Sequence, residues 1–102
     1  MLAEFSVIPI GAGVSTSKEV AKIIKLIDES GLPYKVNPMG TVVEGDWQAV
    51  MGLIEKCHKQ VYSDVERVLT NITIDDRKGY ESGRIEKKVE SVERILGKAV
   101  KK

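Results

Sequence analysis

The stretch that most constrains this chain is YKVNPMGTVVEGDW, Tyr34 to Trp47. Tyr34–Asn37 is short and extended, and Pro38 has no N–H to donate and disfavours helix at the residue before it. Gly40 supplies the permissive backbone that a turn needs. Thr41–Glu44 resumes as a strand rich in β-branched residues, and Asp46 is a good N-cap for a following helix. The stretch predicts a hairpin feeding a helix. With 102 residues the chain is long enough for one core but not two. A single domain over residues 1–102, with the hairpin near its middle, is therefore expected.

Before the hairpin, Leu2–Ile10 alternates, with Ala3, Phe5 and Val7 on one face and Glu4, Ser6 and Ile8 on the other. The first set is expected to pack against helices. Gly11–Ser15 (GAGVS) reads as a flexible connection, and Thr16 with Glu19 as a capping box. Val20, Ile23, Ile24 and Ile27 mark a helix over Ser17–Ser30, closed by Gly31 in the left-handed region. After the hairpin, Val50, Leu53, Ile54, Cys57 and Val61 mark a helix over Trp47–Tyr62. Arg67–Asp75 is the last strand, with Val68, Thr70, Ile72 and Ile74 inside and Leu69, Asn71 and Thr73 outside. A charged loop, Asp76–Ser82, leads to a third helix with a narrow stripe through Ile85, Val89, Val92, Leu96 and Val100. This loop and GAGVS are expected to be the most mobile places.

The order β-α-β-β-α-β-α matches the split βαβ plan. The fold class is α+β: a ferredoxin-like βαββαβ antiparallel sheet with an additional C-terminal helix. Right-handed crossovers give the strand order 4-1-3-2, with two helices on one face and a third at the margin. Either Thr41 with Val43 or Val42 with Glu44 can face inward. The open face is semi-apolar at Ile8 and Leu69, which favours a second sheet against it and hence an oligomer. The third helix would serve as an outer clasp for that assembly.

A net charge of +1 gives no nucleic-acid signal. No stretch approaches the ~20 apolar residues of a membrane span, and no signal peptide is visible, so the cytoplasm is the default location. The lone Cys57 excludes an internal disulfide and a multi-cysteine zinc site, and reads as a buried inert thiol. Gly11-Ala12-Gly13 lacks the last glycine of a dinucleotide fingerprint and the lysine of a P-loop, so a plain turn is preferred to a phosphate site. His58 has no serine or carboxylate spaced to orient it as a base. Asp75, Asp76 and Arg77 form a charged corner that reads as a solvated loop rather than a metal site. Trp47 either covers the end of the sheet or offers a flat ring to a planar ligand. An enzyme would have only Asp75, Asp76 and His58 to work with, and they make no coherent constellation.

Three segments carry a family resemblance: Val7–Ser15 (VIPIGAGVS), Asn37–Asp46 (NPMGTVVEGD) and Ile74–Arg77 (IDDR). Together they resemble the small thiamine-binding, YkoF-related family over nearly the whole chain, and PMGTxxEG is the most specific piece. The resemblance implies a ferredoxin-like fold, a homotetramer built through sheets and outer helices, and binding of thiamine or its hydroxymethylpyrimidine-type precursor. It implies no catalytic activity, and no cofactor or metal enters the reading. Thiamine couples a fixed thiazolium cation to an aminopyrimidine, so it needs a carboxylate, hydrogen-bonding groups and apolar or aromatic walls. Glu44 is the first choice for the charge, ahead of Glu4. Ser6, Asn37 and Thr41 are expected to supply hydrogen bonds, and Ile8, Met39 and Trp47 the walls, with the ligand near the sheet's open face and close to Met39–Trp47. The alternative is a regulatory or scaffolding oligomer whose open face binds protein or another small metabolite.

Overall fold

The computed structural model describes residues 1–11, 17–79 and 83–101. They form β1 (Leu2–Ile10), α1 (Ser17–Glu29), β2 (Tyr34–Asn37), β3 (Gly40–Glu44), α2 (Trp47–Tyr62), β4 (Arg67–Asp75) and α3 (Arg84–Leu96). The strands make one antiparallel sheet in the order β2-β3-β1-β4, which is the expected order read from the opposite edge. The architecture is α+β, as the order of elements predicts. The expected capping box at Thr16, most of GAGVS and the end of the 76–82 loop lie outside the described residues.

One face of the sheet holds the core. Ala3, Phe5 and Val7 pack there with Ile23 and Ile27 of α1 and with Val50, Leu53, Ile54, Cys57 and Val61 of α2. Residues directly opposite one another in an antiparallel pair share a face. The pairs Ala3↔Val43 and Phe5↔Thr41 therefore turn Thr41 and Val43 inward, and leave Val42 and Glu44 on the other face. The pairs Ala3↔Ile74 and Phe5↔Ile72 put the expected inner set of β4 on the core side. Even so, Ile72 and Ile74 stay 38% and 37% exposed, because β4 is an edge strand and only its beginning, Val68, packs against the core.

Local signals explain the helix ends. Asp46 Oδ1 accepts from the Ala49 N–H at 2.7 Å and caps α2. Gly31 follows α1 with φ +76°, the left-handed position expected of it. Gly40 is different from the expectation. Its φ lies outside the left-handed region, and a Cβ there would stand 3.2 Å from the Phe5 carbonyl oxygen and 3.3 Å from Glu4 Cγ. The glycine is needed for the close approach of β3 to β1, not for the turn.

The third helix takes the opposite face of the sheet. The Arg84 N–H donates to both Glu44 carboxylate oxygens at 3.1 Å, so a β3 side chain caps α3 from 40 positions away. The buried Arg84 guanidinium donates to the Asp75 carbonyl at 2.8 Å and pairs with its carboxylate at 2.8 Å, and Lys88 meets the same carboxylate. From there α3 runs towards β2, with Ile85 and Val89 beside Lys35.

Candidate functional site

The sheet register creates one place where a strand loses its partner. β1 pairs with β4 from Leu2 to Ile10, but with β3 only from Leu2 to Phe5. The hairpin ends at Gly40, opposite Asn37, so beyond Phe5 the β3-side edge of β1 has no strand beside it among the described residues. Along that edge lies a cleft of about 260 Å³. Its walls are Val20, Ile23 and Ile24 of α1, the Phe5–Pro9 segment of β1, and the hairpin from Val36 to Thr41. The cleft thus sits between α1 and the hairpin, wrapping the free edge of β1, instead of lying on the open face of the sheet.

The walls are mostly apolar, with a few polar groups converging on them, the composition expected of a small-molecule site. Ser6, Asn37 and Thr41 all line it, and none of these side chains is hydrogen-bonded elsewhere among the described residues. Ile8 and Met39 line it too, Met39 standing 89% exposed at the tip of the hairpin. Five of the seven residues expected from the sequence are brought together here. Glu4 is adjacent: its side chain lies against Gly40, which lines the cleft.

Glu44 and Trp47 stand apart. Glu44 is 3% exposed and is committed to the start of α3, on the other face. Trp47 opens α2 and is 54% exposed, with no part in the cleft lining. Glu44 closes β3 at the end away from the hairpin turn and Trp47 lies beyond it, which is why nearness in sequence to Met39 does not become nearness in space.

The remaining reactive side chains have ordinary structural roles. Cys57 is fully buried, and burial pushes its thiol up to about 11. His58 is half-buried, with Nδ1 2.6 Å from Thr70 Oγ1 and its ring near Tyr62. The Lys88 hydrogen bond, together with Arg84, holds the Asp75 carboxyl below the usual aspartate range. Among the described residues no three His, Cys, Asp or Glu side chains gather in a metal-holding group.

Sequence reasoning missed the α1 wall and the main-chain edge of β1. Val20, Ile23 and Ile24 read only as core stripe. Pro9 was the available signal: a proline inside a central strand needs an edge where no N–H is wanted, and the free edge of β1 is such a place.

Known proteins place the chain further. A UPF0045 protein of Methanocaldococcus jannaschii is 39% identical over 92 residues, covering 90% of this chain and 91% of that one. The crystal structure of a hypothetical protein from the same organism matches with a TM-score of 0.82 at 40% identity, over 89% of this chain and 93% of that one. The UPF0045 protein YqgV of Bacillus subtilis is 34% identical over 101 residues, covering 93% and 96% of the two chains. A candidate thiamine biosynthesis/salvage protein of Thermotoga maritima has a TM-score of 0.77 over 89% and 96% of the chains; at 23% identity it speaks for the fold alone. Among the described residues no helix is long and apolar enough to cross a membrane. The model of the family described as Thiamine-binding protein matches residues 3–93, and the chain belongs to that family.

Proposed function

We propose that the cleft between α1 and the hairpin binds thiamine or its hydroxymethylpyrimidine-type precursor, as a carrier or sensor without catalytic activity, in the cytoplasm. The observation that carries this reading is the cleft itself: apolar walls around Ser6, Asn37 and Thr41, three polar side chains not hydrogen-bonded elsewhere among the described residues, in a chain of this family. Its volume, about 260 Å³, falls below the ~300–1,000 Å³ of pockets that enclose drug-sized ligands. One substituted ring suits it better than both rings of thiamine. The pyrimidine therefore goes inside and the thiazolium stays at the mouth.

At the mouth the cation meets Glu4, since Glu44 is spent on α3. Glu4 is exposed, so the pair is partly screened and modest in strength. Titration calorimetry of thiamine into ligand-stripped protein tests the reading. Saturable binding is expected, with Glu4→Gln about two- to fivefold weaker. Absence of binding to the wild type would overturn it.

A second reading keeps the oligomer at its centre. Ile8, Ile10 and Leu69 are exposed at one end of the sheet, and Val92, Ile95 and Leu96 along α3. Copies of this chain joined through these surfaces, as a homotetramer, would cover them.

A further inference from the structure

We infer that the pyrimidine is read by main-chain groups of β1, the N–H and C=O of Val7, and not chiefly by side chains. This rests on the proposal that the cleft takes an aminopyrimidine. The Phe5 carbonyl points towards β3, since a Cβ on Gly40 would stand 3.2 Å from its oxygen. Backbone groups in a strand point alternately to its two sides. Val7 therefore directs its N–H and C=O to the same side as Phe5, but beyond the last β1–β3 pair, Phe5↔Thr41. Its neighbours Ser6 and Ile8 direct theirs to β4, where they pair with Asn71 and Leu69. Pro9 presents a carbonyl on the free side and no N–H.

The edge lining the cleft thus offers one donor, the Val7 N–H, followed by two acceptors, the carbonyls of Val7 and Pro9. Among the described residues no strand pairs with this buried edge, and a buried edge needs a partner. Addition of a further strand is a poor answer, because Pro9 interrupts the ladder and α1 and the hairpin close in around the segment. A small planar group with an acceptor beside a donor is a better one. A 4-aminopyrimidine has both: ring N3 accepts from Val7 N–H while the 4-amino group donates to Val7 C=O. The ring faces then lie against apolar walls such as Val20 and Ile24.

The 4-oxo counterpart of the same ring carries a hydrogen on N3 and an acceptor at C4. In the same orientation donor meets donor and acceptor meets acceptor. A site built for a hydrogen bond rejects the mismatched analogue strongly. Calorimetry with 4-amino-5-hydroxymethyl-2-methylpyrimidine and its 4-oxo counterpart, on wild type and Asn37→Ala, tests the assignment. The amino compound is expected to bind about thirtyfold or more tightly than the oxo compound in both proteins. Equal binding of the two pyrimidines by a wild type that binds thiamine would overturn main-chain reading and leave the ligand proposal standing. Loss of the preference in Asn37→Ala would assign the reading to that amide and overturn it as well. Failure of thiamine and both pyrimidines to bind would remove the ligand proposal and this inference together.

Discussion

Glu44 shows how one residue changes meaning between sequence and space. In sequence it is a carboxylate inside the densest family motif; in space it is the cap of a helix 40 residues away. Removing its charge weakens the field at the start of α3 while leaving the cleft alone. Glu44→Gln is expected to lower unfolding free energy by about 1–2 kcal/mol in urea titrations, with thiamine affinity unchanged. A loss of affinity without loss of stability would return the cation to Glu44. Cys57 is simpler, since its apolar surroundings hold the thiol neutral up to about 11. The unfolded thiol ionises at ~8.5, so this group costs stability as pH rises from there towards the folded value. At about pH 8 the native protein should leave Cys57 unreacted with a thiol reagent that modifies the unfolded chain at once. Fast reaction in the native state would show that the helix face opens.

At the scale of elements, periodicity carried most of the fold. The strands β1, β2 and β4 and the helix α2 occupy the expected residues, because period-2 and period-3.6 patterns are strong there and Pro38, Asp46 and Gly31 punctuate them. Which face of β3 points inward was not legible, since Thr41/Val43 and Val42/Glu44 are equally suited to a strand. Only the register against β1 decides it. The cleft was half legible. Ser6, Ile8, Asn37, Met39 and Thr41 all line the cleft, but their convergence depends on the register that sets Leu2 opposite Glu44 and so leaves β1 beyond Phe5 past the end of β3, a pairing that no local pattern encodes. Burial also varies along one face. Ile27 is fully buried between sheet and helices, whereas Ile72 lies on the edge. Ile27→Ala should cost roughly 2–5 kcal/mol and Ile72→Ala about 1 kcal/mol in an isolated chain, measured by denaturant unfolding. Equal costs would mean that β4 is covered in solution.

The whole molecule is less compact than its length suggests. Its Cα radius of gyration is 15.0 Å, against about 13 Å for a compact chain of ~100 residues. The sheet face at Ile8 and Leu69 and the outer side of α3 at Ile95 remain exposed. Light scattering at micromolar concentration is expected to give a mass several times the 11.3 kDa of one chain. A monomer mass would remove the assembly and leave these surfaces for another partner.

The position of the ligand can be read from the amide shifts of the ¹⁵N-labelled protein on titration with thiamine. The largest changes are expected at Val7, Asn37, Met39 and Ile24 around the cleft, with Glu44 and Trp47 little moved. Changes centred on Glu44 and Trp47, or no change at saturating thiamine, would contradict binding in the cleft.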